Sequence, residues 1–311
     1  MFICVYLWLI ALSLTHAQTY PTKPVRIVTA EVGSGNDLAS RAIALNIGGG
    51  MGQPFIVDNR GFMGSEIVMK AAPDGYTLLC YGAPMWLSPF LRARVPWDPL
   101  KDFAPITLTV ETPNLLVLHP AVAAKTLEEL LALARAKPGE LNYGSSSVGA
   151  TPHLAAEMFR AMTGIHIVRV PYKGSGPAFI DLMAGQIQVL FSSTVSSMPH
   201  VKTGKVRGLA ITSLKRAAAL PDVPTIAETY AGFESSSWFG LLAPAKTPKA
   251  VVDRLLNDTR TALRSTEMRQ ALVSQGAEPG GLSSAEFANY FQTEIRKWAG
   301  VVKSAGVRLE Q

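Results

Sequence analysis

Val25-Arg26-Ile27-Val28 runs into Glu31-Val32-Gly33-Ser34-Gly35-Asn36-Asp37, and a helix is predicted from about Leu38. Further along, Leu141-Asn142-Tyr143 runs into Gly144-Ser145-Ser146-Ser147-Val148-Gly149-Ala150-Thr151, with a helix predicted from Pro152. Each stretch is a β-like run, a Gly/Ser loop and a helix start. Such a junction aims unpaired backbone N–H groups and the positive end of a helix at one point, so it holds anions and carbonyl oxygens. Two of them in the two halves of one chain predict a ligand gripped from both sides.

Between and beyond these junctions, short β-like runs alternate with helical segments. The predicted strands are Val25–Val28, Phe55–Asp58, Thr77–Tyr81, Ile106–Val110, Leu115–His119, Ile165–Val170, Gln188–Phe191 and Gly208–Thr212. Thr126-Leu127-Glu128-Glu129 and Ser283-Ser284-Ala285-Glu286 read as capping boxes opening helices. Thr151-Pro152 and Thr247-Pro248 place an N-cap before a proline at the first helical position. Strands alternating with helices argue for an α/β protein with a largely parallel sheet. No low-complexity linker or short repeat interrupts the pattern. The apolar, proline-bounded runs near Pro113–Pro120 and Ser237–Pro244 are predicted to carry the chain between two lobes.

Phe2 to Leu14 is almost wholly apolar, and Thr15-His16-Ala17 follows with small residues at cleavage positions. This predicts a secretory leader, residues 1–17, cut before Gln18. The n-region has no Lys or Arg, which a displaced start codon or a short membrane anchor would explain. The charge of +6, from 29 basic and 23 acidic residues, is scattered without a basic run, so nucleic-acid binding is not indicated. Cys4 falls in the leader, leaving Cys80, which is read as a buried strand residue. No His/Cys/Asp/Glu spacing suits a metal, and neither metal nor cofactor is predicted.

Three alternatives to a binder were weighed. A serine hydrolase would pair Ser147 with His153, but Gly144-Ser145-Ser146-Ser147-Val148-Gly149 is not a G-x-S-x-G elbow, and no carboxylate orients the histidine. A dinucleotide enzyme would use Gly33-Ser34-Gly35, but Leu38 stands where the third glycine belongs. A sensor presenting ligand to a membrane signalling protein would share the receptor fold and stays open.

Several motifs together carry a family resemblance over essentially the whole chain beyond the leader. They are Tyr20-Pro21-Thr22-Lys23-Pro24-Val25-Arg26, Ala72-Pro73-Asp74-Gly75-Tyr76-Thr77-Leu78-Leu79 and Lys101-Asp102-Phe103-Ala104-Pro105. They continue through Lys137-Pro138-Gly139-Glu140-Leu141-Asn142-Tyr143, Val170-Pro171-Tyr172-Lys173-Gly174 and Ala219-Leu220-Pro221-Asp222-Val223-Pro224-Thr225 to Ser237-Trp238-Phe239-Gly240-Leu241-Leu242-Ala243-Pro244. The chain resembles the Bug-type (TctC-like) receptors, the periplasmic solute-binding proteins of tripartite tricarboxylate transporters.

The resemblance implies a two-lobed flytrap of the type II periplasmic binding fold, monomeric and non-enzymatic. It implies binding of a small carboxylate and transient delivery to membrane permease subunits. Residues 18–116 and 242–311 would form one lobe and residues 117–241 the other, with the ligand between them. Carried over residue by residue, the carboxylate-binding roles fall on Ser34, Gly35 and Asn36 and on Ser145, Ser146, Ser147 and Thr151. Tyr81, Gly82 and Ala83 follow a strand and are predicted to line one wall, with His153 and Tyr172 as further candidates whose rival is simple packing. Two departures bear on ligand choice. Glu31 stands where the family approaches the first loop with aromatic or proline residues, and its direction decides whether it matters. Ser192-Ser193 follow Phe191 where the family often has Asp or Asn, which argues against an acidic amino acid.

Overall fold

The computed structural model describes residues 20–92, 94–147 and 149–304, with side chains described to residue 300. The predicted leader lies outside the described residues. Among the described residues ten strands and ten α-helices largely alternate: β1 (Val25–Thr29), α1 (Gly35–Met51), β2 (Phe55–Asn59), α2 (Gly64–Met69), β3 (Thr77–Tyr81), α3 (Ala83–Leu91) and β4 (Phe103–Leu118). Then come α4 (Leu127–Ala136), β5 (Asn142–Ser145), α5 (Thr151–Thr163), β6 (Val168–Pro171), α6 (Ser175–Met183), β7 (Val189–Ser193), α7 (Thr194–Lys202) and β8 (Arg207–Ile211). β9 (Ser236–Pro244), α8 (Lys249–Arg264), α9 (Thr266–Val273), β10 (Glu278–Pro279) and α10 (Ser284–Ser304) complete the described residues.

The strand order is β2-β1-β3-β9-β4-β7-β5-β6, with β8 and β10 also on β4. β1 pairs in parallel with β2 and β3, and β5 in parallel with β6 and β7, while β9 and β4 run antiparallel through the middle. β4 is shared between two sheets: Phe103 to Pro113 pairs with β9, and Asn114 to Leu118 pairs with β7. Each sheet is the floor of one lobe.

Both sheets are covered on both faces, which is why their strands read as near-continuous apolar runs. Side chains alternate across a strand. In the first lobe Ile27, Leu78 and Cys80 pack with Ile43 and Leu255 under α1 and α8. Their neighbours Val28, Leu79 and Tyr81 pack with Trp86, Phe287 and Trp298 under α3 and α10. The second lobe repeats this. Leu116 and Phe191 face Leu130 and Phe159, while Leu115 and Leu190 face Phe179 and Leu182.

Several local predictions resolve differently. The runs 106–110 and 115–119 are one strand, because β9 pairs along β4 through Pro113, opposite Ser236, with register shifts beside Pro105 and Leu108. Ile165 to Ile167 precede β6 rather than joining it. The Ser283 box forms, with Ser283 N donating to Glu286 Oε2 at 2.8 Å and Glu286 N donating to Ser283 Oγ at 3.3 Å. The Thr126 box forms by half: Glu129 N donates to Thr126 Oγ1 at 3.2 Å, but the Glu129 carboxylate takes the Lys125 amide. Thr151 and Thr247 are not N-caps; Ala150 and Pro248 hold those positions. Cys80 is fully buried in β3, and burial pushes its thiol up to about 11.

Candidate functional site

Parallel strands deliver their carboxyl ends to the same edge, and in open α/β sheets that edge is where ligands bind. Here β1, β3, β5, β6 and β7 all end at the seam between the lobes, and the next α-helix follows each, directly or after a short loop. The N-caps of those helices are Ser34 (α1), Gly82 (α3), Ala150 (α5), Gly174 (α6) and Ser193 (α7). All five line one cleft with about 420 Å³ of atom-free space, part of it open to solvent. Each helix end carries roughly half a positive charge and unpaired N–H groups. Among the described residues no Lys, Arg or His lines the cleft, and the one charged residue that does is Glu31.

The caps are held firmly. Ser34 Oγ accepts from Asp37 N at 3.3 Å, while Asp37 Oδ2 accepts from Gly33 N at 2.9 Å. That leaves the amides of Gly35 and Asn36 at the cleft end of α1. Asp37 is fixed in turn by Asn59 Nδ2 at 2.9 Å and by Arg41 at 2.9 Å. On the facing side, Thr151 Oγ1 hydrogen-bonds Ser237 Oγ, which donates to Asn114 Oδ1 at 2.7 Å. The start of α5 is thereby tied to both strands that cross between the lobes. Trp238 and Phe239, next on β9, supply an apolar wall. Trp238 stacks on Trp86 at 5.3 Å between centroids, and its Nε1 donates to Glu294 at 3.1 Å.

Among the described residues, three buried polar atoms at the cleft have no hydrogen-bond partner: Glu31 Oε2, Asn36 Oδ1 and Ser146 Oγ. A buried polar atom left unpaired costs about 1–3 kcal/mol, so their concentration in one cleft marks a place built for a polar ligand. Glu31 faces this cleft, which answers the question its sequence position raised. Burial raises its carboxyl above the ordinary range, opposed by its own backbone amide and by Lys173.

The lobes meet across the cleft. Ser196 Oγ of α7 donates to Gly33 O at 3.3 Å. Gly176 of α6 lies against the first loop so closely that a Cβ there would be 2.9 Å from Val32 O.

Of the residues predicted from the sequence, the cleft brings together Glu31, Ser34, Gly35, Asn36, Ala83, Ser146, Ser147 and Thr151. Five others lie behind its lining. Tyr81 is buried under α3. Ser145 Oγ donates to Ser146 O at 3.3 Å. His153 is buried, and its Nδ1 accepts from Gly149 N at 3.2 Å. Burial and the nearby Arg169 and Arg160 hold His153 down to about 3, so the imidazole is neutral. Tyr172 donates to Asp181 at 2.7 Å, and Ser192 Oγ donates to Ser175 Oγ at 3.1 Å. The cleft also includes Ser175, Ser193, Ser237 and Trp238, which were not predicted. The signal for Ser193 was present: a serine at the end of an apolar strand with a helix behind it.

Two α/β lobes joined by two crossing strands, with a polar cleft at the strand ends, define the class of periplasmic solute-binding proteins. The chain belongs to the tripartite tricarboxylate transporter family receptors (TctC), whose sequence profile matches residues 39–307. It is 34% identical over 302 residues to Protein BugT of Bordetella pertussis, covering 94% of this chain and 93% of that protein. Among solved structures, Rpa4515 of R. palustris with adipate is 34% identical with a TM-score of 0.88, covering 92% of this chain and 98% of that one. MatC (Rpa3494) from Rhodopseudomonas palustris with bound malate is 28% identical with a TM-score of 0.85, covering 91% and 100%. The resemblance and the fold class drawn from the sequence motifs are borne out.

Proposed function

We propose that this chain is an exported, non-enzymatic receptor that closes around a small carboxylate and presents it to the membrane subunits of a tripartite tricarboxylate-type transporter. The observation that carries the reading is the convergence of five helix N-caps, Ser34, Gly82, Ala150, Gly174 and Ser193, on one cleft without a cationic side chain. Neutral N–H and O–H donors stabilise a carboxylate without burying a second ion, whose desolvation would offset much of the attraction. The bound adipate and malate of two relatives support carboxylate as the ligand class.

In this reading Ser34, Gly35, Asn36, Ser146, Ser147 and Thr151 contact the ligand, and the residues behind them hold the loops in place. Two bodies hinge, residues 18–113 with 236–311 and residues 114–235, a shift of the expected boundaries supported by the change of strand partner on β4 between Pro113 and Asn114 and by the pairing of all of β9 in the first sheet. The receptor acts as a monomer in the periplasm after removal of residues 1–17. His153 spends its Nδ1 on Gly149 N, which disfavours a role as general base for a serine.

Isothermal titration of residues 18–311 against small mono- and dicarboxylates tests the proposal. Saturable one-to-one binding of at least one acid, recovered unchanged, is expected. Conversion of the ligand, or no binding of any carboxylate, would overturn it.

A further inference from the structure

The anion-binding ends of the helices account for one carboxylate of a ligand, but they leave Glu31 unexplained. Among the described residues it is the only charged one lining the cleft, and its Oε2 is buried without a hydrogen-bond partner among them. Two glycines make room for it, one from each lobe. A Cβ on Gly61 would lie 2.6 Å from Glu31 Oε1, and a Cβ on Gly174, the N-cap of α6, would lie 3.0 Å from Glu31 Cβ. The carboxylate is thus seated at the seam and enclosed when the lobes meet. Lys173, a cation whose charge acts on it, is exposed and does not line the cleft.

An ionised carboxylate accepts hydrogen bonds and donates none. The ligand group beside Glu31 must therefore supply a donor, and a second carboxylate there would face like-charge repulsion in a partly desolvated site. We propose that Glu31 makes this cleft select a carboxylate whose far end carries an N–H donor, an ammonium or a primary amide, over the dicarboxylate of the same length. The inference rests on the carboxylate-receptor reading and names the ligand's other end. The ligand so described differs at its far end from the adipate and malate held by two relatives.

The test is titration calorimetry at pH 8 with two matched pairs, succinate against succinamate and adipate against 6-aminohexanoate. The wild-type protein should bind the nitrogen-bearing member of at least one pair about tenfold tighter or more. Glu31→Gln, which keeps the shape and adds a donor, should reduce that preference to about threefold or less, or invert it, chiefly by tightening the dicarboxylate. Equal or tighter binding of the dicarboxylate by the wild type would overturn the inference while leaving the receptor reading intact. A Glu31→Gln effect of the same factor on both members would also overturn it, because that is the signature of a residue that only latches the lobes. Binding of neither member of either pair, alongside saturable binding of another carboxylate, overturns the inference alone. Binding of no carboxylate at all overturns both.

Discussion

Gly176→Ala isolates lobe closure from everything else. An alanine Cβ at this position would lie 2.9 Å from Val32 O, with Val32 C at 3.9 Å and Gly33 Cα at 4.0 Å. All three are backbone atoms of the first loop, so no side chain can swing aside. Every one of these neighbours sits in the opposite lobe, and Gly176 is not among the glycines with positive φ. Within its own lobe the substitution is therefore benign. In the first turn of α6, alanine in place of glycine stabilises by about 0.4–1 kcal/mol, which would leave the melting temperature of the ligand-free protein unchanged or raise it by roughly 1–3 °C. The closed form alone bears the overpacking, about 1–3 kcal/mol. Ligand binding should weaken roughly 5- to 150-fold, since about 1.4 kcal/mol is one factor of ten. Calorimetry with the tightest wild-type carboxylate reads the affinity, and thermal unfolding without ligand reads the stability. Affinity within twofold of wild type would refute the claim that binding requires this face-to-face approach. A large loss of ligand-free stability would refute the claim that the contact lies purely between lobes.

Other substitutions and pH test different links. Ser146→Asp puts a carboxylate beside the start of α5, and every carboxylate ligand should bind at least about tenfold more weakly by like-charge repulsion; unchanged calorimetric affinity would remove the second loop from the site. Gly240→Ala should destabilise by about 1–3 kcal/mol, because its Cβ would lie 2.2 Å from the ring of Phe287, itself fully buried; a denaturant midpoint equal to wild type would contradict that packing. His153 is held down to about 3, below its ordinary value near 6.5, so the folded state binds fewer protons than the unfolded state between those limits. Its contribution to stability is complete above pH 6.5 and is lost as the pH falls towards 3, with a slope of up to about 1.4 kcal/mol per pH unit. His153→Gln should flatten that part of the profile measured by chemical denaturation at a series of pH values.

The architecture was legible where local and global signals coincide. The alternation of apolar runs with capped helices follows from sheets buried on both faces, and the Ser283 box forms as written. Two of the five helix ends were legible as Gly/Ser loops. The other three were written in the same grammar, with Tyr81-Gly82-Ala83-Pro84, Val170-Pro171-Tyr172-Lys173-Gly174-Ser175 and Phe191-Ser192-Ser193-Thr194 each leading from a strand into a helix.

What the sequence could not decide was which neighbour faces the cleft. Side chains alternate along a strand, so a one-residue difference moves a side chain to the other face. Ser192 consequently bonds Ser175 inside its lobe, while Ser193 caps α7 at the cleft. Tyr81 goes into the core as the last residue of β3, and the lining begins only past the strand end, at Gly82 and Ala83. Thr151 was read as a cap, but Ser237, distant in sequence, takes its hydroxyl; tertiary contact overrides the local rule. Glu31 depends on Gly61 and Gly174 for its space, and no local pattern connects those three positions.

The central claim is that helix ends, rather than cationic side chains, hold the ligand carboxylate. Backbone amide chemical shifts of isotopically labelled protein, followed during titration with a bound carboxylate, test it most directly. The account predicts the largest shifts at the amides of Gly35, Ala83, Thr151, Ser175 and Thr194, the first residue behind each of the five caps, and at Asn36 beside Gly35. Shifts concentrated instead at the open hollow lined by His119 and Lys137 would contradict it.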